Sequence, residues 1–262
     1  MKTDLLTRHR LIDTFTDKTN ILNIYFTAGF PALYDTVRII KTLQKAGADI
    51  IEIGVPFSDP LADGETIQKS SQKAIDNGMT LKLLFEQLQG IRNEVDIPLL
   101  LMGYLNTVLQ FGVESFCKKC EEVGIDGIIL PDLPMQEYIE EYREIFESRG
   151  LVNIFLITPQ TSEQRIRQID EQSKGFIYVV STASTTGTKE GTGKEQIPYF
   201  EKIKSMHLKT PQLIGFGISD KQSFNIATQY AHGAIIGSAF IKMLAQSTDI
   251  EKDIVDFVRK IK

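Results

Sequence analysis

The stretch "ADIIEIGVPFSDPLADGE", residues 48–65, passes from a nearly continuous apolar run into a loop rich in proline, aspartate and glycine. Such a run is typical of a parallel β-strand that is covered on both faces. Glu52 interrupts it, although an ionised carboxylate is costly to bury without a partner. The stretch therefore predicts a buried strand that carries one special glutamate and leads into a loop with further carboxylates.

Seven other short apolar runs have the same character, and helix-like stretches separate them. The eight runs are 21–27, 48–54, 97–103, 126–132, 152–158, 175–181, 212–218 and 232–238. Eight strand–helix units in a chain of 262 residues predict a (β/α)₈ barrel that forms a single domain over 1–262. A doubly wound sheet is the alternative, but it usually has fewer strands, and no G-x-G-x-x-G follows the first one.

An additional helix precedes the first strand, and we expect it to cover the lower end of the barrel. Its apolar residues are Leu5, Leu6, Ile12 and Phe15.

Composition and charge argue against a protein that binds nucleic acid or membranes. A formal net charge of −5 gives no general attraction to nucleic acid or to anionic lipid. The start of the chain lacks the apolar segment of a signal peptide, and no apolar run reaches the roughly 18 residues of a membrane span. We therefore expect a cytoplasmic protein that binds neither nucleic acid nor membranes.

Histidine and cysteine are poorly placed for chemistry. His9 falls in the first helix. His207 and His232 precede the seventh and eighth strands and therefore lie at the N-terminal end of the barrel, which is the end that does not carry catalytic residues. Cys117 and Cys120 form a C-x-x-C, which fits a redox pair, half a metal site or two ordinary reduced cysteines. The helical pattern around them and the lack of a second pair favour ordinary cysteines, so we expect no metal.

Carboxylates remain as candidates at the ends of the strands, where barrels of this class place their catalytic residues. Glu52 is either a general acid/base whose pKa burial raises or a structural hydrogen-bonding residue. Asp63 is either a turn residue before a glycine or an acceptor for a polar group of a substrate. Asp59 is more typical of a turn or a surface contact.

Glycine-rich loops follow the last three strands. They are "STASTTGTKEGTG", "GFGIS" and "GSAF", and in the last one Gly237 and Ser238 begin a helix. Each cluster alone fits an ordinary turn, but their convergence at one rim predicts a site for a phosphate monoester. The segment 181–194 is either a mobile lid or a disordered loop. Three aromatic residues near strand ends either wall an apolar pocket or belong to the core: Tyr25, Tyr104 and Phe216.

Together these motifs resemble the tryptophan synthase alpha chain family. The segment "IEIGVPFSDPLADG" matches the family signature, with Glu52 and Asp63 eleven positions apart, and the likeness continues through "TAGFP", "LMGYLN", "PDLP", "GFGIS" and "GSA". The resemblance implies a (β/α)₈ lyase that cleaves indole-3-glycerol phosphate to indole and glyceraldehyde 3-phosphate, which is a retro-aldol reaction. It implies no cofactor in this chain, and a complex of two alpha and two beta chains whose beta chains carry pyridoxal phosphate.

The resemblance also implies roles for single residues. Glu52 becomes the general acid/base at C3 of indole, and Asp63 the acceptor of the indole N–H that stabilises positive charge on the ring. Tyr178 helps to hold the catalytic groups, while Pro56 and Asp59 contact the beta chain. The implied phosphate-binding residues are Gly187, Gly217, Gly237 and Ser238. The implied residues of the substrate pocket are Tyr25, Tyr104, Thr186 and Phe216.

Two positions depart from the family pattern. Thr182 stands where many members have an arginine, which bears on closure of the loop after the sixth strand. Glu65 replaces a common proline and is expected to loosen the loop that holds Asp63.

Two alternatives to the lyase stay open. One is another barrel enzyme that acts on a phosphorylated sugar, against which the pairing of Glu52 with Asp63 argues. The other is a binding subunit that holds the phosphate ligand and only activates a partner. Release of indole from indole-3-glycerol phosphate distinguishes these functions.

Overall fold

A closed barrel of parallel strands, in chain order from β1 to β8, forms the centre of the molecule. The computed structural model describes residues 9–60, 63–181, 196–215 and 217–262. The strands are β1 Ile21–Thr27, β2 Ile50–Gly54, β3 Leu99–Met102, β4 Gly127–Ile129, β5 Val152–Ile157, β6 Ile177–Val180, β7 Gln212–Gly215 and β8 Gly233–Ile236. Each strand lies within one of the apolar runs, and β1 pairs with β8 to close the barrel. The predicted fold class is confirmed.

Helices surround the barrel and connect its strands. They are α1 Arg10–Asp17, α2 Asp35–Ala46, α3 Glu65–Asp76, α4 Leu81–Gln87, α5 Leu105–Phe111, α6 Val113–Val123, α7 Met135–Glu137, α8 Arg143–Glu147, α9 Glu163–Gln172, α10 Ile197–Ser205, α11 Lys221–Tyr230, α12 Ser238–Gln246 and α13 Ile250–Ile261. A 3₁₀ turn at Ile91–Asn93 and a π-helical turn at Tyr138–Tyr142 complete the helical structure of the described residues. None of the helices in this part of the chain has the length and apolar character needed to cross a membrane.

Side chains alternate along each strand between the barrel interior and the surrounding helices. On β2, Ile50 belongs to the interior cluster, while Ile51 and Ile53 belong to the outer cluster that packs against the helices. Glu52 shares the face of Ile50 and therefore points into the barrel, as the alternation in the sequence predicts.

Helix α1 closes the lower end of the barrel. Leu11 is fully buried in the interior cluster, and the ring of Phe15 lies 5.7 Å from the ring of Phe176. The predicted position of this helix is confirmed, but Ile12 is 43% exposed, so Leu11 takes the buried place instead. Two residues of the predicted apolar face lie outside the described residues: Leu5 and Leu6.

A buried carboxylate fixes α1 to the strand starts. Asp126, which directly precedes β4, accepts hydrogen bonds from Arg10 Nε at 2.8 Å, Arg92 Nη2 at 2.5 Å and the backbone N–H of Leu99 at 2.9 Å. Two positive charges and a backbone donor satisfy this carboxylate, so its burial is tolerated. The group lies at the lower end, where barrel residues stabilise the fold rather than perform chemistry.

The upper end, which we call the mouth, is shaped by two tyrosines that lie over glycines. Tyr25 of β1 contacts Gly54, the last residue of β2, and Tyr178 of β6 contacts Gly215, the last residue of β7. A Cβ atom at either glycine would overlap the tyrosine ring. Because both positions are glycine, both rings fit inside the mouth, where they are buried.

Candidate active site

Glu52 lies in the middle of β2 and is fully buried. Its Oε1 accepts a hydrogen bond of 2.5 Å from Nδ2 of Asn23 on β1, and its Oε2 has no hydrogen-bond partner among the described residues. Burial raises the pKa of Glu52 to about 8, and the hydrogen bond from Asn23 opposes this rise only in part. At neutral pH the carboxyl is therefore mostly protonated, as a proton donor must be.

Asp63 lies in the loop after β2 and is held by Tyr104, which precedes α5. The hydroxyl of Tyr104 donates to Asp63 Oδ2 at 3.0 Å. The ring of Tyr104 also stacks on Phe57, with centroids 4.9 Å apart, so it contacts both ends of the loop. Burial raises the pKa of Asp63 to about 6, although the hydrogen bond from Tyr104 lowers it. This aspartate is ionised at neutral pH.

Tyr25 and Tyr178 lie beside both carboxylates. Burial raises the pKa of each tyrosine well above its ordinary value, and the negative charges of Glu52 and Asp63 raise it further. Repulsion of this kind weakens with distance, so the four side chains form one cluster at the mouth. Since both hydroxyls keep their protons at neutral pH, they remain hydrogen-bond donors.

A chain of hydroxyl groups connects the first strand to the helix that follows Asp63. Thr27 Oγ1 and Ser70 Oγ are 2.7 Å apart, and Ser70 Oγ donates to the carbonyl of Ile67 at 2.8 Å. Tyr25 also hydrogen-bonds to Thr27. These contacts join β1 to α3, the helix that begins two residues after Asp63.

The predicted phosphate rim lies at the ends of β7 and β8, which pair in parallel. Gly217 follows β7 with a φ of 77°, a conformation that favours glycine. Gly237 is the N-cap of α12, and Ser238 is the exposed first residue of that helix. The first N–H groups of a helix have no partner within it and carry the positive end of its dipole, so this rim is suited to an anion.

Tyr25 lies between the carboxyl groups and the rim. A Cβ atom at Gly237 would be 3.4 Å from Cδ1 of Tyr25, while the hydroxyl end of the same ring contacts Gly54. Strand β1 pairs with both β2 and β8, so Glu52 and the start of α12 flank one strand. Tyr25 therefore lies between Glu52 and the start of α12.

The two residues predicted to contact a partner lie in the loop after β2. Pro56 is half-buried and Asp59 is exposed, with Ser58 Oγ donating to Asp59 Oδ2 at 2.6 Å. Glu65 is the first residue of α3 and pairs with Lys69 at 2.6 Å. The partner contact and the loosening effect of Glu65 stay predictions.

Three predicted site residues, and the position that departs from the family arginine, are not among the residues that the structure describes. They are Thr182, Thr186, Gly187 and Phe216, and the predicted lid falls outside as well except for Ser181.

The two cysteines set aside as non-catalytic belong to the outer cluster that packs against the helices. Cys117 and Cys120 are buried on α6 without a disulfide, as the helical pattern predicts, and burial raises the pKa of Cys117 to about 12. Over the described ranges, no group of three or more histidine, cysteine, aspartate or glutamate side chains is arranged to hold a metal.

Three residues of the site were not predicted from the sequence: Asn23, Phe57 and Thr27. For Asn23 the signal was present, because a lone amide inside the apolar run "ILNIYFT" is as unusual as Glu52 in its own strand. For Phe57 and Thr27 no sequence signal was available, since their contacts arise only when the loop and α3 pack against the strands.

Comparison with known proteins identifies the family. Residues 13–261 match the family model described as "Tryptophan synthase alpha chain". The chain belongs to this family. A tryptophan synthase alpha chain of Flavobacterium johnsoniae is 61% identical over 239 residues, which cover 91% of this chain and 94% of that one. The protein of the same name from Christiangramia forsetii is 57% identical over 254 residues, covering 97% and 98% of the two chains.

Solved structures agree with the tryptophan synthase alpha assignment. The alpha chain of Legionella pneumophila has a TM-score of 0.86 and 28% identity, covering 97% of this chain and 96% of its own. A chain of tryptophan synthase from M. tuberculosis has a TM-score of 0.84 and 26% identity, covering 97% and 98%. Alpha subunits of this family cleave indole-3-glycerol phosphate in tryptophan biosynthesis, so the lyase function expected from the resemblance is confirmed.

Proposed function

We propose that this tryptophan synthase alpha chain cleaves indole-3-glycerol phosphate with Glu52 as general acid/base and Asp63 as the stabilising carboxylate. The supporting observation is that two neighbouring carboxyl groups are tuned differently, with the pKa of Glu52 raised to about 8 and that of Asp63 to about 6. Near neutral pH Glu52 keeps its proton while Asp63 is ionised. Pairs of groups whose pKa values are pushed apart in this way take different catalytic roles.

Cleavage begins when Glu52 gives its proton to C3 of the indole ring, which places positive charge on the ring nitrogen. Asp63 accepts the N–H of that nitrogen and stabilises the charge. The Glu52 carboxylate then takes the proton of the hydroxyl on the adjacent glycerol carbon. The electrons of that O–H bond form the aldehyde C=O, the carbon–carbon bond breaks, and its electron pair returns to the ring. Indole and glyceraldehyde 3-phosphate leave, and Glu52 has recovered its proton.

The remaining residues bind and orient the substrate in this proposal. Tyr178 keeps the two carboxyl groups in place, and Tyr25 and Tyr104 wall the indole pocket. The phosphate binds at the rim formed by Gly217, Gly237 and Ser238. Thr186, Gly187 and Phe216 are assigned to the same pocket and rim by family likeness alone.

The two pKa values predict the pH dependence of the reaction. Below about pH 6 Asp63 gains a proton and loses its charge, and above about pH 8 Glu52 loses the proton that it must donate. We therefore expect a bell-shaped profile of kcat/KM, which reports the free enzyme, with limbs near these values. Indole release measured from pH 5 to 10 checks this. A flat profile across that range would contradict the assigned protonation states.

The same assay distinguishes the lyase from a subunit that only binds ligand and activates a partner. Purified chain is incubated with indole-3-glycerol phosphate, with and without a beta chain, and indole is measured. Release in either reaction supports the proposal, and no release in both would remove it.

We propose further that the chain acts in the cytoplasm in a complex of two alpha and two beta chains. The similar structure from M. tuberculosis is of tryptophan synthase. In the loop after β2, Asp59 is exposed and Pro56 is half-buried, so both are accessible to a partner. Pyridoxal phosphate belongs to the beta chain in this proposal, and the alpha chain needs no cofactor because proton transfer and charge stabilisation come from its own carboxyl groups.

Asp59→Ala tests the partner contact. We expect the affinity for a beta chain to fall about tenfold, equal to about 1.4 kcal/mol, because an exposed charge at the contact is lost. Indole release by the isolated variant should stay within about twofold of the parent, since Asp59 does not reach the reacting atoms. Binding measured by calorimetry checks this, with Asp256→Ala on α13 as the control. Equal affinity of all three proteins would place the contact elsewhere.

A further inference from the structure

Asn23 lies next to the catalytic glutamate, and the family likeness assigns it no role. It sits on β1, one diagonal step from Glu52, because Asn23 pairs in register with Ile50 and Tyr25 pairs with Glu52. Both Asn23 and Glu52 are fully buried. Nδ2 of Asn23 donates to Oε1 of Glu52 at 2.5 Å, which is short for such a contact.

In each of the two side chains, one polar atom is hydrogen-bonded within the described part of the chain and the other is not. Among the described residues, neither Oδ1 of Asn23 nor Oε2 of Glu52 has a hydrogen-bond partner. Buried polar atoms in folded proteins are nearly always paired, so two unpaired oxygen atoms in one buried hydrogen-bonded pair are unusual. Asn23 differs from other buried amides with an unpaired oxygen in that its N–H group holds the carboxyl of Glu52 directly, which points to a role in the chemistry of that carboxyl.

The amide makes the two oxygens of Glu52 unequal. The carbonyl oxygen of a protonated carboxyl accepts a hydrogen bond more strongly than the hydroxyl oxygen, so the N–H donor favours the state in which Oε1 is the carbonyl oxygen and the proton is on Oε2. We propose that Asn23 is a positioning residue that holds Oε1 of Glu52 and thereby makes Oε2 the oxygen that gives the proton to C3 of indole and takes it from the hydroxyl. This inference rests on the proposed function of Glu52 and extends it to a single atom.

Three other ionisable groups lie around Glu52, and none of them donates a hydrogen bond to its carboxyl among the described residues. Tyr25 on β1 and Tyr178 on β6 face it, and burial together with the carboxylates raises the pKa of both, so neither titrates near neutral pH. Asp63 in the loop after β2 carries the negative charge and titrates near 6. Among the described residues, the only hydrogen bond to the carboxyl group of Glu52 comes from Asn23.

The test is Asn23→Leu, because leucine has the same branched shape without the donor. We expect kcat for indole release to fall about 10- to 100-fold, since a misplaced reacting group has effects of this size. KM should stay within about threefold, since Asn23 does not contact the phosphate rim. The basic limb of the pH profile should move up by about one unit, because loss of the donor removes stabilisation of the carboxylate. A purely structural role would change neither the limb nor kcat selectively.

Asn153→Leu is the matched control. Asn153 is also a buried strand asparagine whose Oδ1 has no partner among the described residues, but it lies on β5 between Val152 and Ile154, two interior residues, and therefore faces outward. Its variant should keep the parent's kcat and pH profile. If both variants lose activity equally, the effect is one of strand packing and the inference is overturned.

An infrared measurement tests the assignment of the oxygens without turnover. The carbonyl band of protonated Glu52 is identified by its loss in Glu52→Gln. In Asn23→Leu it should move to higher frequency, since Oε1 loses its hydrogen bond. An unchanged or lowered band would assign the proton to Oε1 and overturn the inference. Should Asn23→Leu fail to fold, Asn23→Ala replaces it with the same expected results.

Failure of this inference and failure of the proposed function give different results. If Glu52→Gln is inactive while Asn23→Leu matches the parent in kcat, pH profile and infrared band, only the role of Asn23 is wrong. If Glu52→Gln retains near-normal turnover, the proposed function of Glu52 is itself wrong.

Discussion

Replacing Glu52 by glutamine is expected to lower kcat for indole release by about 1,000-fold or more, because general acid/base catalysis contributes effects of about 100- to 10,000-fold. The amide has nearly the same size and still accepts the hydrogen bond from Asn23, so the mouth should keep its shape. It has no proton to transfer to C3 of indole. Binding of a non-cleavable substrate analogue, measured by calorimetry, should therefore remain within about threefold of the parent.

Glu251→Gln is the control for this change. Glu251 lies in α13 on the surface, with its side chain 60% exposed and paired with Arg38, so the same substitution there should leave both turnover and binding unchanged. Near-normal turnover of Glu52→Gln would assign the proton transfer to another group.

Replacing Asp63 by asparagine is expected to lower kcat about 100- to 1,000-fold, comparable to the loss of one key electrostatic contact in other active sites. The asparagine Oδ1 can still accept the hydrogen bond from Tyr104, so the loop should remain in place. What is lost is the negative charge that opposes positive charge on the indole ring in a buried site, where such interactions are strong. Steady-state kinetics of indole release, with KM and kcat separated, provide the measurement.

Asp76→Asn provides the comparison for Asp63. Asp76 is an exposed residue at the end of α3 that accepts a hydrogen bond from Gln72, and its substitution should change kcat by less than about twofold. If Asp63→Asn also stays within a factor of about two, Asp63 has no electrostatic role in the reaction.

The sequence predicts the barrel well because its signal is local. Each strand is a short apolar run, and alternation along β2 places Glu52 on the face of Ile50 without knowledge of its neighbours. The signature around Glu52 and Asp63 then identifies the family, and the family implies the reaction. The family and the fold were predicted from these two kinds of information, and both are confirmed.

What the sequence does not predict depends on contacts between segments that are distant in the chain. The hydrogen bond from Asn23 to Glu52 requires the register between β1 and β2, which forms only when the barrel closes. Likewise, the hydrogen bond from Tyr104 to Asp63 joins residues 41 positions apart. In α1, the apolar pattern predicts a buried face but does not decide that Leu11 rather than Ile12 enters the barrel.

Helix α1, at the lower end of the barrel, affects the pKa of Glu52 near the mouth. Leu11 belongs to the same interior cluster as Ile50, so buried apolar side chains extend from the lower end of the barrel to the residue two positions before Glu52 on the same face of β2. Exclusion of water is what keeps that glutamate a weak acid. Removal of α1 would expose the interior to water from below, and we expect the pKa of Glu52 to fall toward its ordinary value as a result. A helix that stabilises the fold at one end of the barrel thereby also sets the acidity of a residue at the other end.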